Sequence, residues 1–114
     1  MVDDDARARA AVARLLAEEG YDATEAADGE EATGLLASWR PDLVLTDLHM
    51  PRLDGRGLLR RVHSLLPGTP VILVSGRGEA EAVRLPDGDG ASAYFPKPLE
   101  LDALLARIRD LIGR

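Results

Sequence analysis

Val44-Leu45-Thr46-Asp47-Leu48-His49-Met50-Pro51-Arg52-Leu53-Asp54-Gly55 decides how the rest of this chain is read. An apolar run ends in a carboxylate at Asp47, and Pro51 prevents the strand pattern from continuing. Asp54-Gly55 then reads as the N-cap and opening of a helix. A strand that ends in Asp at the rim of an open α/β sheet presents an oxygen nucleophile where such sheets collect ligands and chemistry. Asp47 is therefore the candidate phosphoryl acceptor.

Working outward, Leu43 to Thr46 and Val71 to Val74 are short unbroken apolar runs, the pattern of parallel strands buried on both faces. Helical stripes separate the strand signals. Ala8, Ala11, Val12, Leu15 and Leu16 share one face, and Gly20 follows where a left-handed C-cap belongs. Tyr21 to Ala26 alternates as a short edge strand. Asp28-Gly29-Glu30-Glu31 resembles a capping box, and the helix it opens buries Ala32, Leu35, Leu36 and Trp39 before Pro41. Leu58, Leu59, Val62 and Leu65 form a third stripe, closed by Pro67-Gly68. Leu101, Leu104, Leu105, Ile108, Leu111 and Ile112 form the last and clearest one. Strand and helix thus alternate five times, and short right-handed crossovers favour an open doubly wound sheet.

Two stretches fit this plan poorly. The first strand should be central, yet it offers only Met1 and Val2. Each missing buried aliphatic residue forgoes roughly 1.5–3 kcal/mol, so the expectation is a chain clipped at its head. The helix that begins at Glu79 is stopped after about two turns by Pro86, Gly88 and Gly90.

With 114 residues, 46% hydrophobic and 30% charged, the chain is expected to form one domain over 1–114. A net charge of −6 repels phosphate backbones and argues against direct nucleic-acid binding. The absence of cysteine excludes disulfides and thiolate metal sites. No run approaches the ~20 apolar residues of a membrane span, and no leader pattern is present. A cytoplasmic location is the default expectation.

The chemistry gathers on one rim. Asp3 and Asp4 follow the first strand, Asp47 the third, Ser75-Gly76 the fourth and Lys97 the fifth. Three carboxylates held close repel one another unless a cation sits among them. Hard oxygen ligands with room for water suit Mg2+. A nucleophile, a metal site, a hydroxyl donor and a fixed cation are the parts phosphoryl transfer needs. Blander readings stand beside these. Asp3 to Asp5 could simply cap the first helix. Lys97 by itself reads as a surface lysine, though Pro96 and Pro98 fix its backbone. Tyr94 reads as packed against the last helix, Trp39 as a helix-end packing residue, His63 as solvated surface and His49 as a solvent-facing loop residue.

Val2-Asp3-Asp4-Asp5, Leu45-Thr46-Asp47-Leu48-His49-Met50-Pro51 with Asp54-Gly55, Val74-Ser75-Gly76 and Tyr94-Phe95-Pro96-Lys97-Pro98 occur in order and at characteristic spacing. On these pieces the chain resembles, over essentially its whole length, the receiver domain of two-component response regulators. The resemblance implies a single-domain (βα)5 flavodoxin-like three-layer sandwich, with a parallel five-stranded sheet in order 2-1-3-4-5. It implies a Mg2+-dependent transfer to Asp47 from a histidine kinase or histidine phosphotransfer protein. Asp4 would bind Mg2+ directly and Asp3 largely through water, with Asp47 and the backbone carbonyl of His49 as further ligands. Ser75 would hydrogen-bond the phosphoryl group and Lys97 pair with its oxygens. Tyr94 occupies the aromatic switch position, and the Lys97–Pro98 peptide is expected to be cis. A homodimer through the fourth helix, fifth strand and fifth helix, and an unnamed downstream effector, complete the implied partners.

Ser75 stands where threonine is commoner. Gly76 is small enough to leave donor and water access, and His49 lies where side chains modulate phosphorylation and dephosphorylation rates. Such a domain would catalyse only its own phosphorylation and autodephosphorylation. Other classes fit the same residues less well. A flavin or nucleotide binder of this strand order needs a phosphate-cradling loop after the first strand, and Asp3-Asp4-Asp5 would repel phosphate. A receiver-like scaffold signalling by contact alone has no use for the set Asp4, Asp47, Ser75 and Lys97. An aspartyl phosphatase would need a second acid just after the nucleophile, which Leu48-His49 does not supply.

Overall fold

A computed structural model describes residues 1–76 and 91–113 of the chain. The elements run α1 (Ala6–Glu18), α2 (Gly29–Leu36), β1 (Val44–Asp47), α3 (Gly55–Leu65), β2 (Val71–Ser75), β3 (Ala93–Pro96) and α4 (Leu101–Ile112). The helix expected from Glu79 lies outside the described residues. β1, β2 and β3 are parallel neighbours, with Val44 opposite Val71 and Ile72 opposite Ala93.

The first two expected strands are reduced to single bridges. Val2 bridges Ala26 on one side and Thr46 on the other. Its N–H donates to the Leu45 carbonyl at 2.8 Å, and its own carbonyl accepts from the Asp47 N–H at 2.9 Å. Reading the bridges with the strands gives the order 2-1-3-4-5. The edge strand expected over residues 21–26 is thus corrected to one bridge at Ala26. An edge segment needs a full neighbour to pair with, and only Met1, Val2 and Asp3 face it: Met1 accepts from Ala26, and Asp3 donates back to it.

β1 and β2 are buried at every position, as unbroken apolar runs require. Their side chains alternate between two cores. Val44, Leu48, Val71 and Leu73 meet Ala32 of α2 and Leu58, Leu59 and Val62 of α3. Leu45, Ile72 and Val74 meet Val12 and Leu16 of α1 and Leu104, Leu105 and Ile108 of α4. The result is the expected three-layer α/β sandwich.

Local signals set most boundaries. Asp28 caps α2 by accepting from the Glu31 N–H, and Asp54 caps α3 by accepting from the Gly57 N–H. Gly20 follows α1 with φ +91°, the left-handed turn that favours glycine. Some details differ from the periodicity. α1 buries Val12, Ala13 and Leu16 while Ala11 is exposed. α2 ends at Leu36, five residues short of Pro41, and half-buried Trp39 lies beyond it. Leu65 and Leu101, the last residue of α3 and the first of α4, are exposed. His63 is half-buried rather than solvated.

Truncating fully buried Leu58 to Ala is expected to lower unfolding free energy by about 2–5 kcal/mol. Leu65→Ala, 55% exposed, should stay within about 0.5 kcal/mol. Urea denaturation of the two variants checks this pair.

Candidate functional site

The carboxyl ends of Val2, β1, β2 and β3 deliver the polar residues to one rim. Asp47 closes β1, and buried Leu48 continues it with a hydrogen bond to the Val74 carbonyl at 2.8 Å. The chain then turns back, with the Gly55 N–H on the Leu48 carbonyl at 2.9 Å. Only glycine fits there: a Cβ on Gly55 would lie 2.5 Å from the Asp47 carbonyl oxygen.

Carboxylate oxygens of Asp3, Asp4 and Asp47 lie within 4.8 Å of one another. Asp3 and Asp47 are buried and Asp4 is exposed. The capping role considered for all three residues at 3–5 belongs to Asp5 alone, whose side chain accepts from the Arg7 and Ala8 N–H groups. Asp3 instead folds its Oδ1 onto the Asp5 N–H at 2.9 Å, which leaves its other oxygen facing Lys97.

Lys97 reaches this cluster from the loop after β3. Its Nζ is 3.3 Å from Asp47 Oδ2 and 3.6 Å from Asp3 Oδ2. The Lys97–Pro98 peptide is cis. The Lys97 backbone N–H donates to the Ser75 carbonyl at 3.0 Å, so the lysine and the fully buried serine share one strand junction. Gly76 is exposed beside the Lys97 stem.

Burial is the largest influence on Asp3 and pushes its carboxyl above the ordinary value. The Asp5 N–H and Lys97 oppose that push, while the charges of Asp47 and Asp4 add to it. For Lys97, burial pulls the ammonium down, but attraction to Asp47 and Asp3 outweighs it and leaves the group above its ordinary value. The rim thus carries more negative charge than its single lysine neutralises.

Tyr94 corrects one expectation. It packs partly buried on the α2–α3 side of the sheet, not against the last helix. Strand alternation explains this: Ala93 and Phe95 point to the α4 side, so Tyr94 points away from it. Its hydroxyl donates to the Ser75 carbonyl at 3.4 Å. His49 is half-buried two residues beyond Asp47, and its imidazole is not among the groups gathered in the acidic cluster.

Arg9 was not anticipated from the sequence. Its Nη1 donates to the Asp3 carbonyl at 2.8 Å and its Nε to Glu25 at 3.1 Å, fixing the backbone of the acidic turn. An arginine on a helix pattern carries no local sign of such a long-range partner.

Comparison with known proteins agrees with this geometry. The family model for the response regulator receiver domain matches residues 1–109. The response regulator MprA of Mycolicibacterium vanbaalenii is 43% identical over 115 residues, covering all of this chain and 49% of that protein. MprA of Mycobacterium avium is 41% identical over 50% of its length. The chain therefore spans about half the length of the curated relatives it matches. The receiver domain of the Francisella response regulator 1452 superposes with a TM-score of 0.87 at 33% identity, covering 99% of this chain and 93% of that one. A CheY-like receiver domain protein from Methanospirillum hungatei gives 0.91 at 31% identity, covering 98% and 90%. The chain belongs to the response-regulator receiver domain family of two-component signalling.

Proposed function

We propose that residues 1–114 form one receiver that accepts a phosphoryl group on Asp47 and changes conformation to control an effector. The donor would be a phosphohistidine on a histidine kinase or a histidine phosphotransfer protein. The observation that carries this reading is the meeting of Asp3, Asp4, Asp47 and Lys97 at one point of the rim.

The donor set fits Mg2+. It is made of hard carboxylate oxygens, carries excess negative charge, and leaves Asp4 open to solvent where waters complete a coordination shell. Asp3, Asp4, Asp47 and the His49 carbonyl would hold the ion. When bound, it supplies positive charge for the phosphoryl oxygens.

This chain's own residues do the rest. A carboxylate oxygen of Asp47 forms the new O–P bond as the donor's N–P bond breaks and leaves its electron pair on the imidazole. Lys97, already fixed on Asp47, neutralises charge on the equatorial oxygens. Ser75 donates its hydroxyl to the phosphoryl group. Because Lys97 and Tyr94 both hold the Ser75 carbonyl, movement of Ser75 is transmitted to β3 and to the Tyr94 ring. The domain turns over no external metabolite; it catalyses its own phosphorylation and dephosphorylation.

Acetyl phosphate with Mg2+ should add one phosphoryl group, seen by intact-protein mass spectrometry, and shift amide resonances around β3. Asp47→Asn should abolish both. Lys97→Ala should still be phosphorylated but lose the resonance shifts; normal shifts in that variant would refute the role given to Lys97.

Asp3 supplies a pH test. Its folded carboxyl binds a proton more tightly than the unfolded one, so its contribution to stability is full below about the ordinary 3.8 and is lost as pH rises through the raised value. In EDTA, Asp3→Asn should therefore raise the urea midpoint at pH 7, and the gain should narrow as the pH falls towards 4. Saturating Mg2+ should reverse the order of the two proteins. A variant less stable than wild type in EDTA at pH 7 would contradict the assignment of Asp3 as a buried charge lacking its cation.

A further inference from the structure

The loop between β1 and α3 is held at both ends. At its start, Leu48 is buried and its carbonyl is bound by the Gly55 N–H. At its far end, two consecutive loop residues meet two consecutive residues of the α2 N-terminus. The Leu53 carbonyl accepts from the Gly29 N–H at 3.2 Å, and a Cβ on Gly29 would lie 2.3 Å from that carbonyl oxygen. Next to it, Arg52 closes on Asp28, with Nε at 3.0 Å and Nη2 at 2.6 Å from the same oxygen, Oδ2.

Two features set this ion pair apart from an ordinary surface contact. Asp28 is buried, and its two oxygens are divided between two tasks: Oδ1 caps α2 through the Glu31 N–H at 2.9 Å, and Oδ2 takes the guanidinium. Arg52 also has φ +66°, and among the described residues it is the one non-glycine residue in the left-handed region. Glycine would adopt that conformation without strain. A strained backbone persists where the surroundings over-determine it, and such positions cluster at functional sites. The Arg52 side chain is 63% exposed, so solvent screens the pair from that side and tempers its contribution to global stability. The contact's consequence is therefore geometric. Between the two anchors run only His49, Met50 and Pro51.

We propose that Arg52 is a positioning residue for the receiver's cation site. Closed on Asp28, it holds the β1–α3 loop against the first turn of α2 and so fixes the backbone carbonyl of His49. The inference rests on the Mg2+ reading above.

Isothermal titration calorimetry with MgCl2 on wild type, Arg52→Gly, Arg52→Lys, Asp28→Asn and the Arg52→Gly/Asp28→Asn double variant tests it. Asn at 28 keeps the cap oxygen and loses the charge. Losing a partner bonded directly to a metal ligand weakens binding roughly 10–100-fold. Arg52 and Asp28 act one step further out, through the loop, so Arg52→Gly and Asp28→Asn should each raise the Mg2+ Kd by the lower figure, roughly tenfold. The double variant should be no worse than either single one, because the two residues act as one unit. Arg52→Lys should recover part of the loss. Urea midpoints should hold or rise in Arg52→Gly, since glycine relieves the backbone, whereas a merely structural clasp would lower them. The His49 carbonyl carbon resonance of the metal-free protein should move in Arg52→Gly. Wild-type Mg2+ affinity in Arg52→Gly, or additive losses in the double variant, would overturn the role of Arg52 and leave the Mg2+ reading intact. No Mg2+ binding by wild type would overturn both.

Discussion

Confinement of negative charge at the carboxyl end of a parallel sheet is the constraint on which this domain depends. Asp3 and Asp47 are buried beside each other with exposed Asp4 at the open side. Burying a charge is costly unless it is paired. Lys97 bridges the two buried carboxylates but leaves a surplus of negative charge, and burial, with the charges of Asp47 and Asp4 adding to it, raises the proton affinity of Asp3. In the proposed reaction that surplus favours a small divalent cation among the three carboxylates, and Lys97 stands beside Asp47 to meet the charge of the incoming group.

The backbone makes that confinement possible by leaving no slack around it. β1 and β2 are apolar on both faces, so they cannot slip register without moving side chains out of both cores. Val2 has only one residue's worth of strand, yet its own N–H and carbonyl bond to β1 while its neighbours Met1 and Asp3 bond to Ala26, which locks it between the two. That single residue fixes where Asp3 emerges, and Arg9 then ties down its carbonyl. Gly55 and Gly29 allow two backbone approaches that any side chain would block. The polar rim is placed by apolar packing beneath it and by close glycine contacts beside it.

Much of this was legible in the sequence because it follows from short-range patterns. Unbroken apolar runs identified β1 and β2, Asp28 and Asp54 announced their helices, and Gly20 marked the end of α1. The order of acids, serine and lysine along the chain by itself points to one rim. What escaped depends on neighbours distant in sequence. Periodicity assigns Leu65 and Leu101 to the core, yet they are the last residue of α3 and the first of α4, and both are exposed. The alternation at residues 21–26 predicts an edge strand, but pairing requires a partner, and the partner here is three residues long, so a single bridge at Ala26 forms instead. Arg9 reaches back 6 residues to the Asp3 carbonyl and across 16 to Glu25, and Arg52 reaches across 24 to Asp28, separations that no helical or strand periodicity encodes. Tyr94 faces α3 rather than the last helix, and parity along β3 contains the reason: Ala93 and Phe95 face α4, so Tyr94 faces away from it.

That parity bears on how the proposed switch would be wired. Three consecutive residues of β3 divide between two cores, so a displacement of the strand is felt on both sides of the sheet at once. Ser75 is the point where displacement would enter, because its carbonyl is gripped by the Lys97 backbone and by the Tyr94 hydroxyl while its register partner is Pro96. Drawing Ser75 towards a phosphoryl group on Asp47 would strain the 3.4 Å hydroxyl contact, the longer of the two, before the 3.0 Å backbone bond. Tyr94 would thus be released while Lys97 stays seated. The ordering matters physically: the charge that stabilises the modified aspartate is retained during the step that frees the aromatic ring to change its packing on the α3 face.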